Sequence, residues 1–143
     1  MKTHYEIFEP TSEEAEAIDG NLLEEIRNVK PFALKEPFVP LNLCAKVNGD
    51  IVGGVLAYAV MWDILYIDTV WTKETYRGQG IAVRLLEQTE KRAAAMGCKT
   101  ARLSTYDFQA PYLYEKTGYA KFGEIDYGHC KEFFYFKRLA EEK

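Results

Sequence analysis

A β-prone run, Ile64-Leu65-Tyr66-Ile67-Asp68-Thr69-Val70-Trp71-Thr72, leads within a few residues into Tyr76-Arg77-Gly78-Gln79-Gly80-Ile81-Ala82. Apolar residues at helical spacing then follow, Ile81, Leu85, Leu86, Thr89, Ala93 and Met96, and Gly97 marks the stop. This junction of strand, glycine turn and long amphipathic helix constrains the fold more than any other stretch. It is one step in an order of strands and helices that alternates β, α, irregular, β-β-β, α, β, α, β-β along the chain. The turn also points to a ligand. Small residues let the backbone approach closely, and the first N–H groups of a helix lack intrahelical partners and sit at its positive end, a combination that suits phosphate.

Two nucleotide motifs fail on these residues. A dinucleotide fingerprint needs a small residue three positions after Gly80, where Val83 stands, and a parallel unit before the turn. The NTPase loop needs Gly-Lys-Ser/Thr, which the chain lacks.

The remaining elements come from local signals. Residues 5–8 alternate weakly and predict a first strand ended by Pro10. Thr11-Ser12-Glu13-Glu14 has capping-box form ahead of Ala15, Ile18, Leu22, Leu23, Ile26 and Val29, so a helix is expected from about residue 12 to 29. Pro31, Pro37 and Pro40 predict an irregular, substrate-facing segment. Residues 41–47 and 51–60 are β-prone runs joined by Asn48-Gly49-Asp50, a hairpin signal. After the long helix come a strand over 102–105, a brief helix over 111–116 ended by Gly118, and two strands, 119–127 and 131–138, joined around Gly128-His129. No repeat, low-complexity tract or linker interrupts the chain, so residues 1–143 are expected to form one domain.

Composition narrows the partners. At 143 residues with 14% aromatics the chain is long enough for a core and too aromatic for disorder. A net charge of −4 argues against a nucleic-acid binder and suits a cationic small substrate. Cys44, Cys98 and Cys130 are odd in number and dispersed, which reads as reduced thiols in a cytoplasmic protein, and with His4 and His129 they offer no metal-ligand spacing. The N-terminus lacks an apolar targeting region, and no apolar run reaches the length of a membrane span.

The pattern Arg/Gln-x-x-Gly-x-Gly/Ala is met by Arg77, Gly80 and Ala82. Downstream, Ala110-Pro111-Tyr112-Leu113-Tyr114-Glu115-Lys116-Thr117-Gly118-Tyr119 is similar to the signature A-x-x-x-Tyr-Glu-Lys-x-Gly-Phe/Tyr. With these two motifs in this order, and with its order of elements, the chain resembles the GNAT superfamily of acyl-CoA-dependent N-acyltransferases over nearly its whole length. The resemblance implies a mixed, mostly antiparallel sheet of about six to seven strands, splayed between the fourth and fifth and flanked by about four helices. Acetyl-CoA would lie in the gap, with no metal.

Roles follow residue by residue from the same resemblance. Backbone N–H groups of Arg77, Gly78, Gln79, Gly80, Ile81 and Ala82 would hold the pyrophosphate, and the edge of the fourth strand at Val70 and Thr72 would pair with the pantetheine arm. Thr72 stands where an aliphatic residue is usual, and Gln109 where the family often places an Asn that touches CoA. Tyr114 is the expected general acid, since a phenol of pKa about 10 can protonate a departing thiolate of pKa about 8.5.

An alkylammonium of pKa about 10.4 must lose its proton before it attacks. Asp68, in a strand that resembles the polyamine-acetylating branch, is the expected base or orienter of a water, and its mid-strand position implies a costly buried carboxylate. His129 and a water chain are the alternatives. Glu36, Asp63, Asp68, Glu124 and Asp126 are candidates for a cation-attracting mouth, and the aromatic C-terminal strand suggests a homodimer face. The implied activity is acetyl transfer from acetyl-CoA to a primary amine of a small molecule by direct attack. A protein- or peptide-acetylating enzyme and a non-catalytic acyl-CoA sensor are the rivals.

Overall fold

The computed structural model describes residues 2–139, in two compact units that divide between Phe32 and Ala33. In the first unit, helix α1 (Ser12–Val29) begins with the expected capping box. The Thr11 hydroxyl accepts from Glu14 N at 3.2 Å, and Glu14 Oε1 accepts from Thr11 N at 2.9 Å. These bonds hold the Glu14 carboxyl below the usual carboxylate range. The strand expected over residues 5–8 does not form, and residues 2–11 carry no regular element. An isolated four-residue alternation offers two side chains per face and no ladder of its own, so sequence pattern alone cannot stabilise it.

The second unit is built on seven strands: β1 (Phe38–Pro40), β2 (Leu43–Val47), β3 (Asp50–Val60), β4 (Ile64–Thr72), β5 (Thr100–Tyr106), β6 (Ala120–Asp126) and β7 (Lys131–Arg138). Its helices are α2 (Ile81–Ala95), α3 (Pro111–Lys116) and a 3₁₀ turn over Glu74–Tyr76. Among the described residues there are thus three α-helices rather than the four expected. The sheet runs β1-β3-β4-β5-β7-β6, with β2 on the same edge of β3 as β1. Every pairing is antiparallel except β4 with β5. Strand β1 falls inside the stretch expected to be irregular. The long β3 accommodates it at Val60, Ala59 and Tyr58, and Pro40, which has no N–H to give, is tolerated at its end. Between β1 and β2, the Asn42 side chain accepts from Ala57 N at 3.2 Å and continues the ladder.

The Asn48-Gly49 hairpin forms as its sequence requires, with φ of 50° and 86° at the two residues, a left-handed pair that few other dipeptides adopt. Helix α2 buries Leu85, Leu86, Thr89 and Ala93 against β3 and β4, where Val55, Ala57, Leu65 and Ile67 are buried. Small alanines on β3 let the helix lie close. At Gly53 the approach is closer still: a Cβ there would stand 3.0 Å from Ile81 Cγ2 and 3.2 Å from Trp71 O. A glycine inside a strand thereby seats the first turn of α2 on the sheet.

A buried aromatic group joins α3 to β7. Tyr114 meets Tyr119 edge-on at 5.9 Å and Tyr135 at 6.0 Å between ring centroids. The Tyr119 hydroxyl donates to Glu90 Oε2 at 2.9 Å, Lys137 Nζ reaches Glu90 Oε1 at 2.7 Å, and the Tyr135 hydroxyl donates to Glu115 Oε1 at 3.0 Å. Burial pushes Tyr114 and Tyr135 up to about 12, and burial with the Glu90 carboxylate raises Tyr119 further.

Gly53→Ala forces the first turn of α2 outward and costs about 1–3 kcal/mol, read as a lower urea midpoint at unchanged slope. The raised phenols favour the protonated form in the folded state. Their stabilising contribution is whole below the ordinary phenol value of about 10 and is lost as pH rises toward about 12. The urea midpoint should fall across that window, and Tyr119→Phe should fall less steeply.

Candidate active site

The site exists because β4 and β5 part company. They pair only at Ile64 with Thr100, Leu65 with Ala101 and Tyr66 with Arg102. Beyond these, β4 follows β3 and β5 follows β7, which stays in register from Thr100 opposite Arg138 to Tyr106 opposite Glu132. A β-bulge drives the divergence. On β3, Leu56 faces Thr69 and the next residue, Ala57, faces Ile67, so Asp68 is the extra residue, and such an insertion bends its strand and increases its twist. A cavity of about 720 Å³ opens where the strands separate.

The cavity wall brings together the expected residues from four segments. Asp68, Val70 and Thr72 come from β4, Arg77, Gly78 and Gly80 from the turn, Ile81 and Ala82 from α2, and Gln109 and Tyr114 from the segment after β5. Gln79 is exposed and does not line it. The turn is tied to the strand by Arg77 Nε, which donates to Thr72 O at 3.0 Å. Gly78 and Gly80 have φ of 81° and 80°, yet a Cβ at either would meet nothing within 4 Å. Their glycines answer to backbone conformation, not to crowding within the chain.

Gly80 is the N-cap of α2 and brings no side-chain cap. The N–H groups that a helix start leaves unpaired are therefore open at residues that line the cavity. A 15-residue helix adds its positive end there. An anion fits this cradle, in the chemistry that a pyrophosphate presents.

Tyr114 is fixed on the far wall. Helix α3 starts with Pro111 in its first turn, and Tyr114 O accepts from Thr117 N at 3.1 Å and Tyr119 N at 2.9 Å as the helix ends. The residue is 8% exposed, and its hydroxyl has no hydrogen-bond partner among the described residues, so it is free for a ligand. Gln109 is more committed. Its Oε1 accepts from Thr105 Oγ1 and Tyr106 N, both at 2.9 Å, which closes the end of β5 and leaves its amide N–H groups to the cavity.

Asp68 corrects one expectation. Its carboxylate is exposed, because the bulge turns it out of the alternating pattern, so no burial cost argues for a function there. Its place on the cavity wall remains. The five carboxylates expected at one mouth do not converge: Asp68 alone among them lines this cavity, and Glu124 is paired with Lys121 and Lys131. His129 lies in a second recess, with Phe108 as the residue common to both. Ser104, Phe108 and Lys116 also line the main cavity. Lys116 stood within the second motif, where it was legible. Phe108 belongs to a surplus of aromatics beyond what a core of this size needs, which the sequence offers for an acceptor pocket or a dimer face, and it lines the cavity.

Known proteins agree with this geometry. The model of the acetyltransferase (GNAT) family matches residues 2–119. A blasticidin-S acetyltransferase of Streptomyces morookaense is 38% identical over 73 residues, 50% of this chain and 53% of that protein, so the match spans about half of that relative's length. An acetyltransferase of Agrobacterium fabrum is 30% identical over 108 residues, 65% of this chain and 77% of that protein. The crystal structure of an acetyltransferase from Bacillus cereus superposes with a TM-score of 0.86 at 30% identity, covering 94% of this chain and 98% of that one. With the splayed sheet, the uncapped glycine turn and the family match in agreement, the chain belongs to the GNAT family of acetyltransferases.

Proposed function

We propose that this acetyltransferase moves the acetyl group of acetyl-CoA to a primary amine of a small molecule by direct attack of the amine on the thioester. The observation that carries the reading is the one cavity on which the glycine turn, the freed length of β4, Asp68 and Tyr114 all open. Acetyl-CoA supplies an activated acyl group, and the residues present fit it. The backbone N–H groups of residues 77–82 would hold the pyrophosphate, and the unpaired edge of β4 at Val70 and Thr72 offers ladder groups to an extended arm. The relative named for blasticidin S supports a small-molecule acceptor.

The ammonium nitrogen gives up two protons as the C–N bond forms and the C–S bond breaks, one before attack and one from the adduct, and the second restores the proton that Tyr114 gives to sulfur. Tyr114 supplies its own proton to the departing thiolate. Its pKa of about 12 makes it a weaker acid than a free phenol, which opposes transfer, but the wall that disfavours phenolate also disfavours a bare thiolate beside it, which favours transfer and offsets the first effect. Asp68, exposed on the bulge, accepts the ammonium proton directly or orients the water that does. The three free cysteines support work in a reducing compartment.

Thiol release measured against a panel of amines tests the reading, and acetyl-CoA binding without turnover of any amine would overturn it. Tyr114→Phe is expected to lower kcat about 100-fold with acetyl-CoA Kd within about twofold. In the unchanged enzyme no loss of rate from Tyr114 ionisation should appear until pH nears 12. Asp68→Asn should lower kcat/KM for the amine about tenfold or more while the donor's Kd is held.

A further inference from the structure

A second recess of about 440 Å³ lies at the ends of β5, β6 and β7, walled by Tyr106, Phe108, Tyr127, His129 and Cys130. Its aromatic rings come as two stacked pairs. Tyr106 and Phe108 are 5.5 Å apart and parallel to within 1°, and Tyr127 lies 6.3 Å from His129 at 20°. Phe108 also lines the main cavity, so the two spaces share a wall.

The rim of this recess is acidic. Glu132 accepts from the Tyr127 hydroxyl at 2.6 Å, Asp126 accepts from Gly128 N at 2.8 Å, and Asp107 is anchored beside β7 by its N–H to Lys131 O at 2.9 Å. The neighbouring cation, Lys131, is engaged with Glu124 at 3.7 Å. Hydrogen bonds from the Tyr127 and Ser104 hydroxyls keep the Glu132 carboxyl below the usual carboxylate range, so it is charged at neutral pH. The field is felt inside: besides burial, Asp107, Asp126 and Glu132 raise the Cys130 thiol. A recess that disfavours an anion and is walled by aromatic rings favours a cation.

We propose that this recess holds a second positive charge of the acceptor, so that the preferred substrate is a small amine bearing a further ammonium, guanidinium or quaternary ammonium group beyond the nitrogen that is acetylated. The inference rests on the acetyl-transfer reading and deepens it. Aromatic walls carry the attraction through their ring faces, and the carboxylates supply the long-range pull. An apolar tail of equal shape gains the contact area and none of the charge, which separates the two explanations.

The test compares two amine acceptors that differ only in a distal trimethylammonium or its neutral tert-butyl isostere. The cationic acceptor should show kcat/KM about tenfold higher or more, and Tyr127→Leu and Glu132→Gln should each shrink that ratio, the latter with the shape of the recess kept. Equal turnover of both acceptors, or a preference for tert-butyl, would overturn the inference and leave the transferase intact. A titration with tetramethylammonium, followed by NMR shifts of the His129 and Tyr127 rings, reads the site without turnover. Saturable shifts support it, and their absence counts against it. Tetramethylammonium binding with no amine acetylated would support the cation site and overturn the acetyl transfer instead.

Discussion

The separation of β4 from β5 is the constraint on which the rest of the site depends. A sheet normally satisfies each interior strand on both sides, and here one interior strand is satisfied on both sides for only three residue pairs. One extra residue on β4, Asp68, twists the strand away, and β7 keeps β5 from following. Everything proposed for the chemistry descends from that choice. The gap is the cavity, the turn at its head is where α2 begins, and α3 delivers Tyr114 from the β5 side. A flat sheet with the same residues would hold no substrate.

Features written in a few consecutive residues were legible in the sequence, and features that are relations between segments were not. The capping box at Thr11, the Asn48-Gly49 hairpin, the strand ending at Thr72, the glycine start of α2 and the brief α3 each have a local cause, and each lies where that cause puts it. The bulge at Asp68 is a mismatch of register with β3, invisible in β4 alone. Strand β1 is a strand because β3 runs long enough to receive it, whereas residues 5–8 have better alternation and form none. The second recess is assembled from the end of β5 and the β6–β7 hairpin, and no single stretch announces it.

The proton chemistry shows a similar division. The motif places Tyr114 in α3, but its environment comes from Tyr119, from Tyr135 on β7 and from the pair of Glu90 on α2 with Lys137 on β7. That ion pair is largely shielded, its side chains 13% and 25% exposed, and it fixes the ring that fixes Tyr114. Tyr114, the proposed general acid, thus owes its position to a charge pair it does not touch. Rigidity of this kind suits a group that must meet a sulfur at one moment of the reaction.

The parted strands also bear on how the protein avoids its own kind. An unpaired strand edge is a template for any other chain, and exposed ones invite fibrils and misassembly. The unpaired length of β4 is such an edge, but it is set inside the sheet and flanked by β5 and α2, so a slot admits what a surface would not. A thread with no side chains can slip in, and a folded neighbour's strand, with its residues projecting to both faces, cannot. Access for a slender partner along β4, as proposed here, and the shielding of that edge from other strands are the same piece of geometry.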